Sequence, residues 1–216
     1  MTNGIIYTAI TNGYDSLKTP KVNQSLPMVC FQNSTDGQLN NWRTQNIELF
    51  NDDPIRTARL YKLHPHLLFP DYDWSIWVDG SLLITDDLIK LINETIQNKA
   101  VFGIYKHAKR NCLYQAAQNC IDKDKDSRII IEKQIDTYKS YGYPQNNGLV
   151  ASGVMVRKHN DPQIINLMNN WWNEINNHSR RDQISFNYVC WKMHFKYWEI
   201  PLRIGDGRYF KRNPHG

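Results

Sequence analysis

The chain has 216 residues, enough for one sizeable core, and nothing in its composition demands a second domain. Hydrophobic content of 41% with 22% charged residues is that of a globular protein, and seven Trp with twelve Tyr supply flat, amphipathic rings suited both to cores and to sugar stacking. A formal charge of +5 favours anionic ligands such as nucleotides, phosphates or acidic lipid headgroups. No RNP-like, zinc-finger or helix-turn-helix pattern accompanies that charge, so no nucleic-acid partner is expected.

The first apolar run, residues 5–10, predicts a strand feeding the loop Thr11-Asn12-Gly13-Tyr14-Asp15. A first strand followed by a glycine-containing loop is a usual place to meet a nucleotide, with Tyr14 stacking on a base and Asp15 accepting from base or ribose. The alternative is a tight turn carrying a surface Tyr. The absence of GxGxxG and of a Walker loop disfavours dinucleotide oxidoreductases and P-loop enzymes. After a second predicted strand at 28–32, Pro54 opens a predicted helix, 54–63, on which Arg56, Arg59 and Lys62 recur every third residue. His64, Pro65 and His66 follow. That face is either a diphosphate cradle or a solvated basic stripe.

Residues 74–78 predict a buried strand that stops on Asp79-Gly80-Ser81. A carboxylate at the carboxyl end of such a strand lies where open α/β sheets bind ligands, and Asp79 with Ser81 makes a half-site for a hard cation carrying a diphosphate. The competing reading is a strand-to-helix turn in which one of them caps the next helix. Helices are predicted at 85–97, 112–138, 162–176 and 181–195, and strands at 100–105, 149–157 and 197–204. The charge run 122–126 is expected to fray or interrupt the long third helix and to be solvated. The turn-rich segment 141–148 reads as a substrate-facing loop or a plain surface loop.

In the strand 149–157, the small step Ser152-Gly153 leaves room for a group to approach the backbone. Asp182 and Gln183 fall in the first turn of a helix, either complementing its dipole or facing a sugar bound over Ser152-Gly153. The tail from Ile204 reads as a closing flap, with Arg208, Lys211 and Arg212 as phosphate partners and His215 as a borderline ligand to a Mn²⁺-like ion, or else as a disordered basic tail. The four cysteines are scattered, without zinc-site spacing. With no charged-then-apolar leader and no apolar run of about 20 residues, the expectation is a reducing cytoplasmic compartment, with peripheral membrane contact through a basic surface or a partner.

The alternation of strands and helices predicts a single α/β domain with a mixed, mostly parallel sheet and helices on both faces. Taken together, the segments 7–15, Arg59 with Lys62 and Pro65-His66, Trp77 to Ser81, His107, Arg110, Cys112 and Tyr114, residues 148–156 and residues 181–186 resemble the TOD1/MUCI70-type glycosyltransferase-like domain, once a domain of unknown function, over nearly the whole chain. The resemblance implies a Rossmann-like GT-A glycosyltransferase similar in layout to glycogenin-like retaining enzymes. It further implies a nucleotide-sugar donor, UDP-linked in expectation, a glycan or glycoconjugate acceptor, and Mn²⁺ or Mg²⁺ held by Asp79, Ser81 and His215. Thr11, Asn12, Tyr14, Asp15, Arg59, Lys62, Gly80, Arg208 and Lys211 would bind the nucleotide, Ser152 and Gly153 the donor sugar, and Asp182 and Gln183 would be catalytic. Ser81 departs from the Asp-x-Asp pattern, and a hydroxyl is a poorer cation ligand than a carboxylate. A GT-A-like protein that binds nucleotide or glycan without turnover is the alternative.

Overall fold

The structure, a computed structural model, describes residues 2–33 and 37–212. Its centre is an eight-stranded sheet in the order β3-β4-β2-β1-β5-β8-β7-β9. Those strands are β1 (Gly4–Ile10), β2 (Met28–Gln32), β3 (Gly37–Leu39), β4 (Trp42–Asn46), β5 (Trp74–Val78), β7 (Phe102–Lys106), β8 (Val150–Arg157) and β9 (Trp198–Ile200). β4, β2, β1 and β5 run parallel, whereas β8 is antiparallel to both β5 and β7. β6 (Leu82–Ile84) and β10 (Phe210–Arg212) form a separate antiparallel ribbon.

Alternation along the central strands divides the core into two layers. Ile5, Tyr7 and Ala9 of β1, Trp77 of β5 and Met155 of β8 pack on one face. There they meet α1 (Pro54–Leu63), α4 (Leu113–Asp122), α5 (Arg128–Ser140), α6 (Pro162–Asn177) and α7 (Asp182–Lys192). Ile6, Ile76, Val154 and Val156 point the other way, onto α3 (Ile89–Gln97) and the β6–β10 ribbon. A short helix, α2 (Pro65–Leu68), follows α1. Both faces are thus covered, which is why β1 and β5 are buried at every position and are mostly apolar, with Thr8 and Ser75 the polar residues among them.

Several boundaries differ from the sequence expectation. The predicted helix 112–138 is two helices, parted at the charge run. α4 ends in a motif in which the amides of Asp124 and Lys125 return to Ile121 O and Cys120 O, with Asp124 left-handed at φ 50°. The helix predicted from Thr85 starts at Ile89, because β6 and its turn occupy the preceding residues. The strand predicted over 197–204 shortens to β9; after it the chain turns and returns as β10 to pair with β6. Segment 141–148 is a mostly exposed surface loop. Tyr143 is buried against Tyr114, Tyr188 and Trp191 and ties the segment to the core. Among the described residues no helix is long and apolar enough to cross a membrane.

Candidate active site

Parallel β1 and β5 end at the same sheet edge, and antiparallel β8 begins there, so three separate segments deliver their polar residues to one place. The turn after β1 is Thr11-Asn12-Gly13-Tyr14, closed by Tyr14 N donating to Thr11 O at 3.1 Å. Positive φ at Asn12 (50°) and Gly13 (61°) makes this the Asn-Gly turn that sequence preference favours. Asn12 and Asn33 exchange two hydrogen bonds of 2.7 Å, and Thr11 donates to Pro54 O, so Asn12 and Thr11 brace the loop.

The strand-end turn at Asp79 leads into β6 rather than into a helix, which removes the capping alternative. Asp79 Oδ1 accepts the Trp77 indole N–H at 2.6 Å and lies 3.5 Å from the Lys62 ammonium. Asp79 Oδ2 sits 3.2 Å from where a Cβ on Gly153 would be, so the group that the small step Ser152-Gly153 admits is this carboxylate. Gly80 is needed for close approach too: a Cβ there would lie 3.0 Å from both Asp15 and Ile10. Opposite, pairing between β7 and β8 jumps from Ile104–Met155 to Tyr105–Ala151, which leaves Ser152, Gly153 and Val154 bulged out of that ladder.

Asp182 opens α7 at the bottom of the site and is 3% exposed. Its Oδ2 accepts from Lys62 Nζ at 2.6 Å and from Ser152 Oγ at 2.9 Å, with Arg59 Nε 3.3 Å away. Oδ1 takes the Gln183 amide N–H at 3.1 Å. Burial alone would raise its pKa; Arg59 and the hydrogen-bonded Lys62 outweigh burial and hold the carboxyl well below the usual carboxylate range. Lys62 is fully buried and sits over the Trp77 ring. Its backbone carbonyl is clamped by Tyr7 OH at 2.7 Å and by Arg157 at 2.8 Å, and Arg157 also donates to Tyr7. Gln183 spends its side-chain N–H on Val150 O at 3.1 Å, which ties the start of α7 to the start of β8.

Two adjoining cavities open on this constellation. The larger, of 590 Å³, lies between the β1 loop with Tyr14 and Asp15, the start of α1, and the α4–α5 connector. The smaller, of 230 Å³, lies over Ser152, Gly153, Asp182 and Gln183. Arg59, Asp79, Ser81 and Arg181 line both and mark where they join. Among the described residues no cluster of three or more His, Cys, Asp or Glu forms a ready metal cage. Asp79 Oδ2 and the Ser81 hydroxyl are donors fit for a divalent ion that brings phosphate oxygens of its own.

The remaining expected residues divide. Arg56 turns away to Asp53 and to the carbonyls of Ile175 and His178 at the end of α6, a helix-terminus cap rather than a phosphate contact. Arg208, expected on the nucleotide, pairs instead with Glu94 of α3 and lies over Tyr209. Lys211 is exposed on β10 and lines neither cavity; alternation along that strand turns its neighbour Arg212 to the smaller cavity instead. His107, Arg110 and Tyr114 also stand outside both cavities. His215 lies outside the described residues. Sequence reasoning missed Arg181 and Arg180, Asp124 with Lys125, and the Tyr7–Arg157 clamp. The basic pair ahead of Asp182 was the available signal for the first two.

The mixed, mostly parallel sheet with helices on both faces is a GT-A glycosyltransferase fold, and its strand-end carboxylate and paired cavities lie at the carboxyl edge of the parallel strands, where open α/β sheets bind ligands. The solved WbbM bifunctional glycosyltransferase superposes on 87% of this chain and 37% of its own with a TM-score of 0.54 at 11% identity, a likeness of fold. The glycosyltransferase GlyE of Streptococcus pneumoniae matches 93% of this chain and 45% of its own, at 15% identity and a TM-score of 0.49. Residues 2–204 match the family described as TOD1/MUCI70, glycosyltransferase-like domain, and the chain belongs to that family. It is 26% identical over 214 residues to the probable hexosyltransferase MUCI70 of Arabidopsis thaliana, covering 86% of this chain and 36% of that protein. The chain thus spans little more than a third of that relative's length.

Proposed function

We propose that this domain transfers a hexosyl residue from a nucleoside diphosphate sugar, UDP-linked, to a hydroxyl of a glycan or glycoconjugate, with retention at the anomeric carbon. The observation that carries the reading is the junction: a nucleotide-sized cavity and a sugar-sized cavity meet at Arg59, Asp79, Ser81 and Arg181. In this reading the nucleoside occupies the larger cavity beside Tyr14 and Asp15. The hexose lies over Ser152 and Gly153, and the diphosphate bridges the two. The carbon–oxygen bond to the diphosphate breaks as the acceptor hydroxyl bonds the anomeric carbon. Arg59 and Arg181 stabilise the charge that builds on the departing phosphate oxygen. A bound Mn²⁺ or Mg²⁺, held by Asp79 and Ser81, would add Lewis-acid neutralisation of the same diphosphate.

Retention is favoured by the state of the carboxylates. Asp79 and Asp182 are the acidic residues lining the smaller cavity. Asp182 is saturated with donors and held ionised, so it makes a weak base. The acceptor's proton then passes to the leaving phosphate oxygen on the same face, and Asp182 serves to fix Lys62, Arg59 and Ser152. The test is an assay of UDP-sugars with oligosaccharide acceptors, following UDP release and product anomer by NMR. Transfer with retained configuration supports the reading, and an inverted product overturns the mechanism. Ser81, in place of a second carboxylate, favours one other reading, a nucleotide or glycan binder without turnover; it would bind UDP and release no sugar.

A further inference from the structure

The connector between α4 and α5, residues 123–127, is a charge run whose plainest reading is a solvated turn, yet it forms a wall of the larger cavity through Asp124 and Lys125. Its shape is set locally. The α4 terminus closes with Lys125 N on Cys120 O at 2.9 Å and Asp124 N on Ile121 O at 3.0 Å, which aims both residues at the cavity. Asp126, with a side chain 10% exposed, then fastens the connector to the segment ahead of α7. Its Oδ2 accepts from Ser179 Oγ at 2.8 Å and from Arg180 N at 2.9 Å, and Arg180 reaches Asp126 and Asp53, each at 3.6 Å. Ser179 Oγ in turn accepts from Arg181 N at 3.3 Å, so Asp126 acts on the residue that stands at the cavity junction.

Charge decides what this wall can meet. Arg180 is paired with Asp53 and Asp126, and Arg59 and Lys62 share the one carboxylate of Asp182. Lys125 makes no ion pair among the described residues while it lines the larger cavity. Resting on the nucleotide-sugar reading above, we propose that the α4–α5 connector is a nucleotide-recognition element: Lys125 contacts the nucleotide's phosphate, and Asp126 is the positioning residue that fixes Lys125 and Arg181 on one wall. A phosphate there exchanges water for a charge-assisted contact to a side chain whose backbone is already set.

Calorimetric titration of UDP, UMP and uridine into the wild-type protein and K125A, with donor kinetics on the same variants, tests this. K125A is expected to weaken UDP and UMP about tenfold, as for loss of one hydrogen bond to a charged group, with uridine unchanged. D126A is expected to weaken UDP similarly and also to lower kcat, because Arg181 loses its support. D126N keeps an oxygen acceptor for Ser179 and Arg180 and is expected to recover most of both. If D126A does not fold, S179A removes the hydroxyl link alone and is read in its place. UDP binding in K125A equal to wild type, or equal loss for all three ligands, overturns the phosphate contact. A D126N protein as defective as D126A overturns the positioning role. Failure of the wild-type protein to bind UDP at all strikes the nucleotide-sugar reading itself, and the connector's assignment with it.

Discussion

The site holds two carboxylates a few ångströms from one ammonium, and they are built for opposite purposes. Asp182 is buried and carries hydrogen bonds from Lys62, Ser152 and the Gln183 amide. The Asp79 side chain is 36% exposed, engages Trp77 and Lys62 through one oxygen, and leaves the other over Gly153 at the mouth of both cavities. A side chain saturated by its own protein organises a site, whereas one with a lone pair facing solvent is available to a ligand. The sequence motif around each, acidic residue beside small or polar neighbours, does not distinguish them; their burial does.

The largest effect expected from this contrast is at Asp182. Removing it in D182A leaves the buried Lys62 ammonium with Asp79 alone, 3.5 Å away, and should destabilise the fold by about 3 kcal/mol, with transfer lost, as read by chemical denaturation and UDP release. D79N should cut transfer by at least about a hundredfold, while its melting temperature stays near that of wild type. Equal destabilisation by the two substitutions would erase the distinction.

G153A sharpens it further. The added methyl would meet Asp79 Oδ2 at 3.2 Å and push it from the junction. A shift of a few tenths of an ångström in that carboxylate is expected to lower kcat by up to about tenfold, with a small change in stability. Unchanged kcat would mean that the Asp79 carboxylate needs no such placement.

The pH dependence separates organisation from reaction. Asp182 has its pKa lowered in the folded state, so it contributes stability that is fully present above the unfolded value, about 3.9, and is lost as pH falls toward the folded value. Urea midpoints should therefore decline below about pH 4, and less steeply in D182N. Asp182 should contribute no limb to the pH–rate profile at neutral pH. The smallest effect belongs to R208A. The Glu94 pair it breaks is exposed and worth under about 1 kcal/mol, and activity should remain within about twofold of wild type because Arg208 lies off the junction.

The sheet's interior was legible because its strands are buried on both faces: β1, β2, β5 and β8 read directly as apolar runs. The edges were not. β4, Trp42-Arg43-Thr44-Gln45-Asn46, buries Trp42 and Thr44 alone and looks polar, and β6 and β10 are three-residue strands that exist through each other. Helix ends were obscured for a different reason. α3, α4 and α7 close on left-handed Lys99, Asp124 and His194, where only α5 uses a glycine, Gly142. Within the site, residues grouped in one segment, such as 11–15, 79–81 and 182–183, were visible as motifs. The pairing of Lys62 with Asp182 and the anchoring of Arg180 by Asp53 and Asp126 join distant segments, and no local pattern announces them. Arg208 failed as an expectation because a basic tail residue was weighed without its partner Glu94.

The most direct test of the account is calorimetric titration of UDP into the wild-type protein and D79N, each with and without Mn²⁺. Wild type is expected to bind UDP and to bind it more tightly with Mn²⁺, and D79N to stay folded but lose the metal-dependent gain. A folded wild-type protein that binds no nucleoside diphosphate, or a D79N protein whose response to Mn²⁺ matches wild type, would contradict the account.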